Sequence, residues 1–377
     1  MAQLALGTAH AEPGTIQYGQ WEAFRHPTGH VESLPVIIAQ GKKGGPCLWL
    51  TAGIHGPEHA GPLVIYRLIN QALVNQLQGT IVAIPALNPA GLRTMRRAPY
   101  HAPTDPNRFW PDGRSRKRQD LDKSPPSSLE LAYERLFEEI TSSADYLIDY
   151  HNAWTGSISF VYRDRLLYRA DQNPTENKAA AESLSTTLEK MIAAYGHTTI
   201  NEFPPEKYIS EKLHRSTSGA ALLVGQIPGF TVELGTGHMP DPAIVAASMA
   251  GTRNVMRWAG MLESNHEAVE GIKIVAPGYA VRRRATPRMT EAGVVIHQVE
   301  PGDLVGIGDP VAEIRDIWGR PLGDGLIRSE YEGFVIGRAH GIYFYPGQSI
   351  LSMAIRDDKP LVAPYPDDYF KEEGSVE

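Results

Sequence analysis

Leu48-Trp49-Leu50-Thr51-Ala52-Gly53-Ile54-His55-Gly56-Pro57-Glu58 is the stretch on which the fold turns. Its first five residues are a β-favouring, mostly apolar run with Gly45-Pro46 before it and Gly53 after it, and they read as a buried strand. Past Gly53 the period changes. From Pro62 to Leu77, residues Leu63, Val64, Leu68, Ile69, Ala72, Leu73 and Leu77 fall at helical spacing. Thr80 to Ala86 is a second short β run. Strand, helix and strand in that order predict a parallel sheet covered on both faces. In such sheets, sites form outside the C-terminal ends of the strands. His55 and Glu58 stand at one such end. At i and i+3 on a turn, an imidazole and a carboxylate share a face and can converge on one cation. Gly53 and Gly56 permit the tight backbone this needs. Taken alone, His-x-x-Glu is a weak signal, and a chance surface pair explains it better.

The same alternation extends in both directions. Upstream, Val36 to Ala39 reads as a strand, with Gln40 to Pro46 as a turn. Downstream come a helix (Leu129 to Ile140), a strand (Tyr146 to Tyr150), a long helix (Asn177 to Tyr195), a strand (Phe230 to Leu234) and a closing helix (Pro242 to Leu262). Residues 1–265 are therefore expected to form an α/β domain, a mixed and mostly parallel sheet covered by helices. The segment Met95 to Pro126 lacks periodicity and is rich in Arg, Pro, Asp and Ser. Such a stretch inside a domain is usually functional or disordered. From about Gly271, short β segments alternate with turns: Gly293 to His297, Pro310 to Ile314, Gly333 to Gly337 and Tyr343 to Tyr345. Residues 266–377 are expected to form a separate all-β, barrel-like domain. The aromatic run Tyr343-Phe344-Tyr345 is expected to be buried against the first domain.

Two further residues strengthen the metal reading. His151 follows the strand Tyr146 to Tyr150, a location like that of His55. Glu233 lies inside the apolar run Phe230 to Leu234, where a carboxylate costs several kcal/mol unless it is paired, metal-bound or facing a cleft. Each has a plainer explanation. His151 could be a core histidine held by Asp149 or Asn152, and Glu233 could be paired with a buried arginine. Together, His55, Glu58, His151 and Glu233 at strand ends of one sheet argue for a metal site. Zinc suits His/Glu/His ligation with an open fourth position, and a remaining carboxylate can serve as general base. Arg93, Arg96, Arg97, Asn107 and Arg108 crowd one irregular stretch. Arginine forks match carboxylates and stabilise oxyanions, although a solvated basic loop would look the same.

Composition narrows the field. The chain has 377 residues and a formal net charge of −7, which argues against nucleic acid as a partner. The Arg114 to Arg118 stretch reads as a solvated loop. Cys47 is the sole cysteine, so no intramolecular disulfide can form; its apolar setting marks a core residue. No run approaches the ~18–20 apolar residues a membrane helix needs. The first 24 residues hold no Lys or Arg, unlike a signal peptide, and a cytoplasmic location is expected.

The ordered set Gly53-Ile54-His55-Gly56-Pro57-Glu58, Asn88-Pro89-Ala90-Gly91, Asn107-Arg108-Phe109, Asp149-Tyr150-His151 and Glu233-Leu234-Gly235 resembles the succinylglutamate desuccinylase/aspartoacylase family, a branch of the zinc carboxypeptidase superfamily. Between Glu58 and His151 the numbering advances by 93 positions, as in that compact branch. The resemblance covers residues ~30–260, and the family carries an appended β domain. It implies one zinc per chain on His55, Glu58 and His151. It implies Glu233 as general base and acid, Asn107 and Arg108 as the pair holding a substrate carboxylate, and Arg97 as the arginine that polarises the scissile carbonyl, with Arg93 and Arg96 as alternatives. The implied activity is deacylation of a small N-acyl amino acid or related N-acyl amine, some relatives acting on N-acetyl diaminobutyrate. A departure occurs at Asp105-Pro106, where relatives more often carry an acidic or small residue followed by Leu. Two alternatives stay open: a metallocarboxypeptidase of short peptides, and a non-catalytic binding protein on the same fold. Oligomeric state also stays open, a homo-oligomer included.

Val299-Glu300-Pro301-Gly302-Asp303-Leu304-Val305 and Gly308-Asp309-Pro310-Val311 resemble a lipoyl or biotinyl carrier barrel. No lysine lies between Lys273 and Lys359, so a modified carrier of that kind is ruled out. A gating or structural role, or a subunit contact, is what remains.

Overall fold

The computed structural model describes residues 4–114, 125–153, 156–235, 237–367 and 369–370. The opening stretch forms the strand Lys43–Ala52, in which every residue from Cys47 to Ala52 is buried. Its side chains alternate between two cores. Leu48, Leu50 and Ala52 join one, Cys47 and Trp49 the other. On the first face lie helices Ala60–Leu68, Pro174–Tyr195 and Pro242–Trp258, contributing Val64, Leu188, Met191, Val255 and Met256. On the second lie Ser128–Ser143 and Thr217–Leu223, contributing Leu129, Leu136, Ile140 and Ala220. Coverage on both faces is why the strand reads as a continuous apolar run.

Among the described residues the sheet has twelve strands. Gln78–Ile84, Lys43–Ala52, Tyr146–His151 and Gly229–Glu233 are consecutive and parallel. Val31–Gln40 and Thr15–Arg25 extend one side in antiparallel fashion. On the other side Phe160–Arg163 runs antiparallel to Gly229–Glu233, and Thr198–Asn201 runs parallel to Phe160–Arg163. The mixed, mostly parallel sheet with helices on both faces is as expected.

The C-terminal region is all β, and part of it continues this sheet. Val281–Ala285 pairs with Thr198–Asn201, and Leu351–Arg356, Gly333–Arg338 and Leu304–Val305 follow outward. A four-stranded sheet of Pro321–Arg328, Pro310–Arg315, Gly293–His297 and Tyr343–Phe344 encloses a core around Val295, Val311, Leu351 and Met353. A shared cluster of Phe160, Tyr162 and Ile200 with Val281, Phe334 and Ile336 joins the two regions.

Several local expectations are corrected. The helix expected from Pro62 to Leu77 is two helices, Ala60–Leu68 and Gln71–Val74. Asn70 breaks it, its side chain accepting a hydrogen bond from the Leu73 amide as an N-cap. The turn expected at Gln40 to Pro46 shrinks to Gly41 and Lys42, because strand pairing resumes at Lys43 with a register shift. Tyr343 and Tyr345 are 61% and 63% exposed, while Phe344 is buried. Successive strand residues point to opposite sides, so only one of the three faces the core. Cys47 is buried, and burial, then Asp145, pushes its thiol up to about 12, which suits a packing role. Arg114 bonds to Asp112, and 115–118 of the arginine-rich stretch lie outside the described residues. No helix among the described residues is long and apolar enough to cross a membrane.

Candidate metal centre

Three neighbouring strands deliver the site at their C-terminal ends. After Ala52, Gly53 turns the chain with φ +65°. Gly56 then lies against the C-terminal end of helix Pro89–Thr94, where an added Cβ would sit 2.0 Å from the Gly91 carbonyl oxygen and 2.4 Å from that of Arg96. Asn88 holds this junction, its side-chain amide donating to the Ile54 carbonyl at 3.0 Å. His55 and Glu58 thereby face His151, the last residue of Tyr146–His151. Glu233, last of Gly229–Glu233, is in register with His151 on the adjacent strand.

Nδ1 of His55 lies 2.8 Å from Glu58 Oε1, and Nδ1 of His151 lies 2.8 Å from Glu58 Oε2. Donor atoms from the three residues fall within 4.8 Å of one another. The outer nitrogens are also occupied. His55 Nε2 is 3.0 Å from Asp105 Oδ1, and His151 Nε2 is 2.8 Å from Asp149 Oδ2. Asp149 is fully buried and also accepts from the Thr51 hydroxyl at 2.7 Å. An imidazole that donates through Nε2 presents a lone pair at Nδ1. Two such lone pairs and a carboxylate point at one spot, so a cation or protons must lie between them. The donor set therefore fits a metal ion, and zinc among the candidates.

The electrostatics agree. Burial pushes Glu58 up, but His55 and His151 outweigh it and hold the carboxyl well below the usual carboxylate range. Burial pushes His151 down, but Asp149 and Glu58 outweigh it and raise the imidazole well above its ordinary value. Glu233 differs. Burial first, and then the nearby Glu58 charge, push its carboxyl up to about 7 against the pull of His151. Its Oε2 is the one buried carboxylate oxygen without a hydrogen-bond partner among the described residues.

The loop residues divide. Arg93 pairs with Glu32, and Arg96 contributes its carbonyl to the Gly56 amide; neither lines the cavity. Arg97 does, donating to Asp105 Oδ2 at 2.8 Å with Nη1 3.7 Å from Glu58. The Asn107 side-chain oxygen accepts from the Thr217 amide at 2.9 Å, and its nitrogen is 3.3 Å from His151 Nε2. Arg108 lines the cavity and is braced by the Glu211 and Asn107 carbonyls. Asp105, in the departure from the family pattern, both caps the Pro106–Arg108 turn and holds His55.

The cavity is about 370 Å³. Its walls include three residues with no sequence signal for this role: Asp164, Glu202 and Arg283. Asp164 is 3% exposed and accepts from the Tyr208 and Ser218 hydroxyls. Burial, then Glu202, push it up to about 7, and burial raises Glu202 as well. Arg283 arrives from the C-terminal strand Val281–Ala285, its guanidinium 5.3 Å from the Phe203 ring centre. Arg288, His340 and Tyr343 line the outer mouth together with the exposed His238. The C-terminal region thus walls the cavity.

An α/β sheet with a His–Glu–His convergence at its strand ends defines a hydrolase fold with a candidate metal centre. The model of the succinylglutamate desuccinylase/aspartoacylase catalytic domain matches residues 44–259, and the chain belongs to that family. Solved structures share the fold. A succinylglutamate desuccinylase/aspartoacylase from Rhodobacter sphaeroides is 18% identical, with TM-score 0.68 over 91% of this chain and 96% of that one. A succinylglutamate desuccinylase from Silicibacter sp. is 17% identical, with TM-score 0.67 over 91% and 95%. The product-bound ectoine utilization protein of Ruegeria pomeroyi is 18% identical, with TM-score 0.66 over 90% and 94%. No curated protein matches.

Proposed function

We propose that the chain is a zinc-dependent amidohydrolase that removes the acyl group from a small N-acyl amino compound. The observation that carries this is the unpartnered Glu233 carboxyl beside the converging His55, Glu58 and His151. Zinc bound by those three would supply Lewis acidity toward the scissile carbonyl and toward water. Glu233, poised near neutrality, takes a proton from the attacking water and returns it to the leaving amine. Arg97 stabilises the negative charge that develops on the oxygen of the scissile carbonyl. Arg108 takes the substrate carboxylate, and Asn107 sets its position through Thr217 and His151.

A cavity of about 370 Å³, walled by the C-terminal region, favours a small molecule over a peptide. Its charge is of both signs. Asp164 and Glu202 lie together without an ion-pair partner among the described residues, and Arg283 stands near them. A leaving fragment with a carboxylate and a second, cationic amine suits this lining better than an acidic amino acid. The test pairs elemental analysis with a panel of N-acetyl, N-succinyl and N-formyl amino acids, diamino acids included, for wild type and His151→Ala. One zinc equivalent lost together with amine release supports the proposal. Metal unchanged by His151→Ala, or no turnover of any N-acyl compound by metal-loaded wild type, refutes it.

A further inference from the structure

A second convergence of histidine and glutamate lies away from the cavity. His26 and Glu32 flank the turn between strands Thr15–Arg25 and Val31–Gln40, and His101 comes from the irregular segment after helix Pro89–Thr94. The turn is tight. The His26 amide donates to the His30 carbonyl at 2.8 Å, the Gly29 amide donates back to the His26 carbonyl at 2.9 Å, and Gly29 has φ +84°. His26 Nε2 is 3.4 Å from Glu32 Oε2. Donor atoms of His26, Glu32 and His101 lie within 4.8 Å of one another. The His26 and His101 rings meet edge to face, 5.3 Å between centres, and His30 stacks on His26 at 5.7 Å. Glu32 is 2% exposed, and both imidazoles are half-buried.

We propose that His26, Glu32 and His101 bind a structural divalent cation of the zinc class, with His30 or water completing the shell. This ion is additional to the one at His55, Glu58 and His151. The donor set is complete for the purpose: two imidazoles and a buried carboxylate from two separate chain segments. No hydrogen bond reaches the His101 ring from any described residue. Glu32 also receives Arg93, whose side chain is 56% exposed. The Arg93 guanidinium reaches both Glu32 oxygens at 3.1 Å, and a carboxylate has lone pairs for several partners, so a cation beside His26 would share Oε2 with Arg93 or displace it to Oε1. An ion pair to a half-exposed arginine is weak and yields readily.

The placement gives the ion a task. Between Met95 and Gly113 the only regular piece is the short turn Pro106–Arg108. That segment nonetheless carries Arg97, Asp105, Asn107 and Arg108 to the metal centre. A cation on His101 would staple the segment to the N-terminal hairpin and cut the disorder it must lose on folding.

The test is a metal count on the full-length, metal-free protein, titrated with Zn²⁺ by calorimetry and with Co²⁺ by visible absorption. Wild type should take two equivalents. His26→Ala and His101→Ala should each take one and keep turnover; His151→Ala should take one and lose it. In His151→Ala protein, added Zn²⁺ should raise Tm by a few degrees, and a further His101→Ala should remove the rise. Circular dichroism checks the fold of each variant, and His101→Gln, which keeps the bulk, separates a lost ligand from a packing defect. One equivalent in wild type that vanishes with His151→Ala overturns the proposal. So do two equivalents that survive both His26→Ala and His101→Ala.

Discussion

His, Glu and His converge twice in this molecule, and the two convergences differ in everything around the donors. At His55, Glu58 and His151, each histidine has a carboxylate on its far nitrogen, Asp105 or Asp149. An unpartnered carboxyl stands alongside, and a cavity opens on the donors. At His26, Glu32 and His101 there is no such carboxylate on either histidine's far side among the described residues. An arginine occupies the glutamate, and aromatic rings fill the surroundings. The donor set alone therefore does not separate the proposed catalytic centre from the proposed staple. What separates them is the partner on each imidazole, the presence of a proton-handling group, and access for a small molecule.

The largest break in the comparison should come from the proton-handling group. Glu233→Gln should lower kcat by roughly 10²–10⁴-fold while leaving both metal equivalents in place. Steady-state kinetics with elemental analysis of the same sample measures this, and a variant within threefold of wild type would remove Glu233 from the chemistry.

A smaller effect should follow from the far-side carboxylates. Asp149→Asn should weaken zinc at the first cluster by roughly 10–100-fold, because the amide no longer fixes the His151 tautomer or its basicity. Competition with a chelator would show it, and zinc at the second cluster serves as the internal standard. Equal weakening at both clusters would mean a global defect instead.

The smallest effect concerns the acidic wall that only the first cluster faces. Asp164 has its carboxyl raised to about 7 in the fold, by burial and then Glu202. The folded state therefore binds a proton that the unfolded chain releases near pH 4. Stability from this group is full below about pH 4 and declines as pH rises through about 7. Asp164→Asn should flatten that decline, by on the order of 3 kcal/mol at most. Urea unfolding at pH 5 and pH 8 reads it, and an unchanged difference between the two would contradict the assignment.

Much of the candidate metal centre was legible because its signals are local. A histidine three residues before a glutamate after a strand is a short-range pattern, and so is a histidine or glutamate ending an apolar run. Asp149, two residues before His151 on the same strand, contacts it. The long helices were legible by period, as Pro174–Tyr195 shows. Thr15–Arg25 was not, because an edge strand with polar residues on one face has no continuous apolar run. Phe160–Arg163 and Thr198–Asn201 are too short for a periodic signal. Arg283 sits in Arg282-Arg283-Arg284, which resembles any solvated basic run. Nothing along the chain marks it as the member that turns toward Phe203.

By itself, the sequence determined the layered α/β plan and pointed to His55, Glu58, His151 and Glu233 as a candidate set. Those features depend on hydrophobic period and on residues a few positions apart, which a linear reading preserves. Only the tertiary structure decided that Asp105 holds His55, that Asp164, Glu202 and Arg283 share one wall, and that His101 meets His26 and Glu32. These are meetings between distant segments. Their electrostatics depend on burial and on distances of a few ångströms, which exist only once the chain has closed on itself.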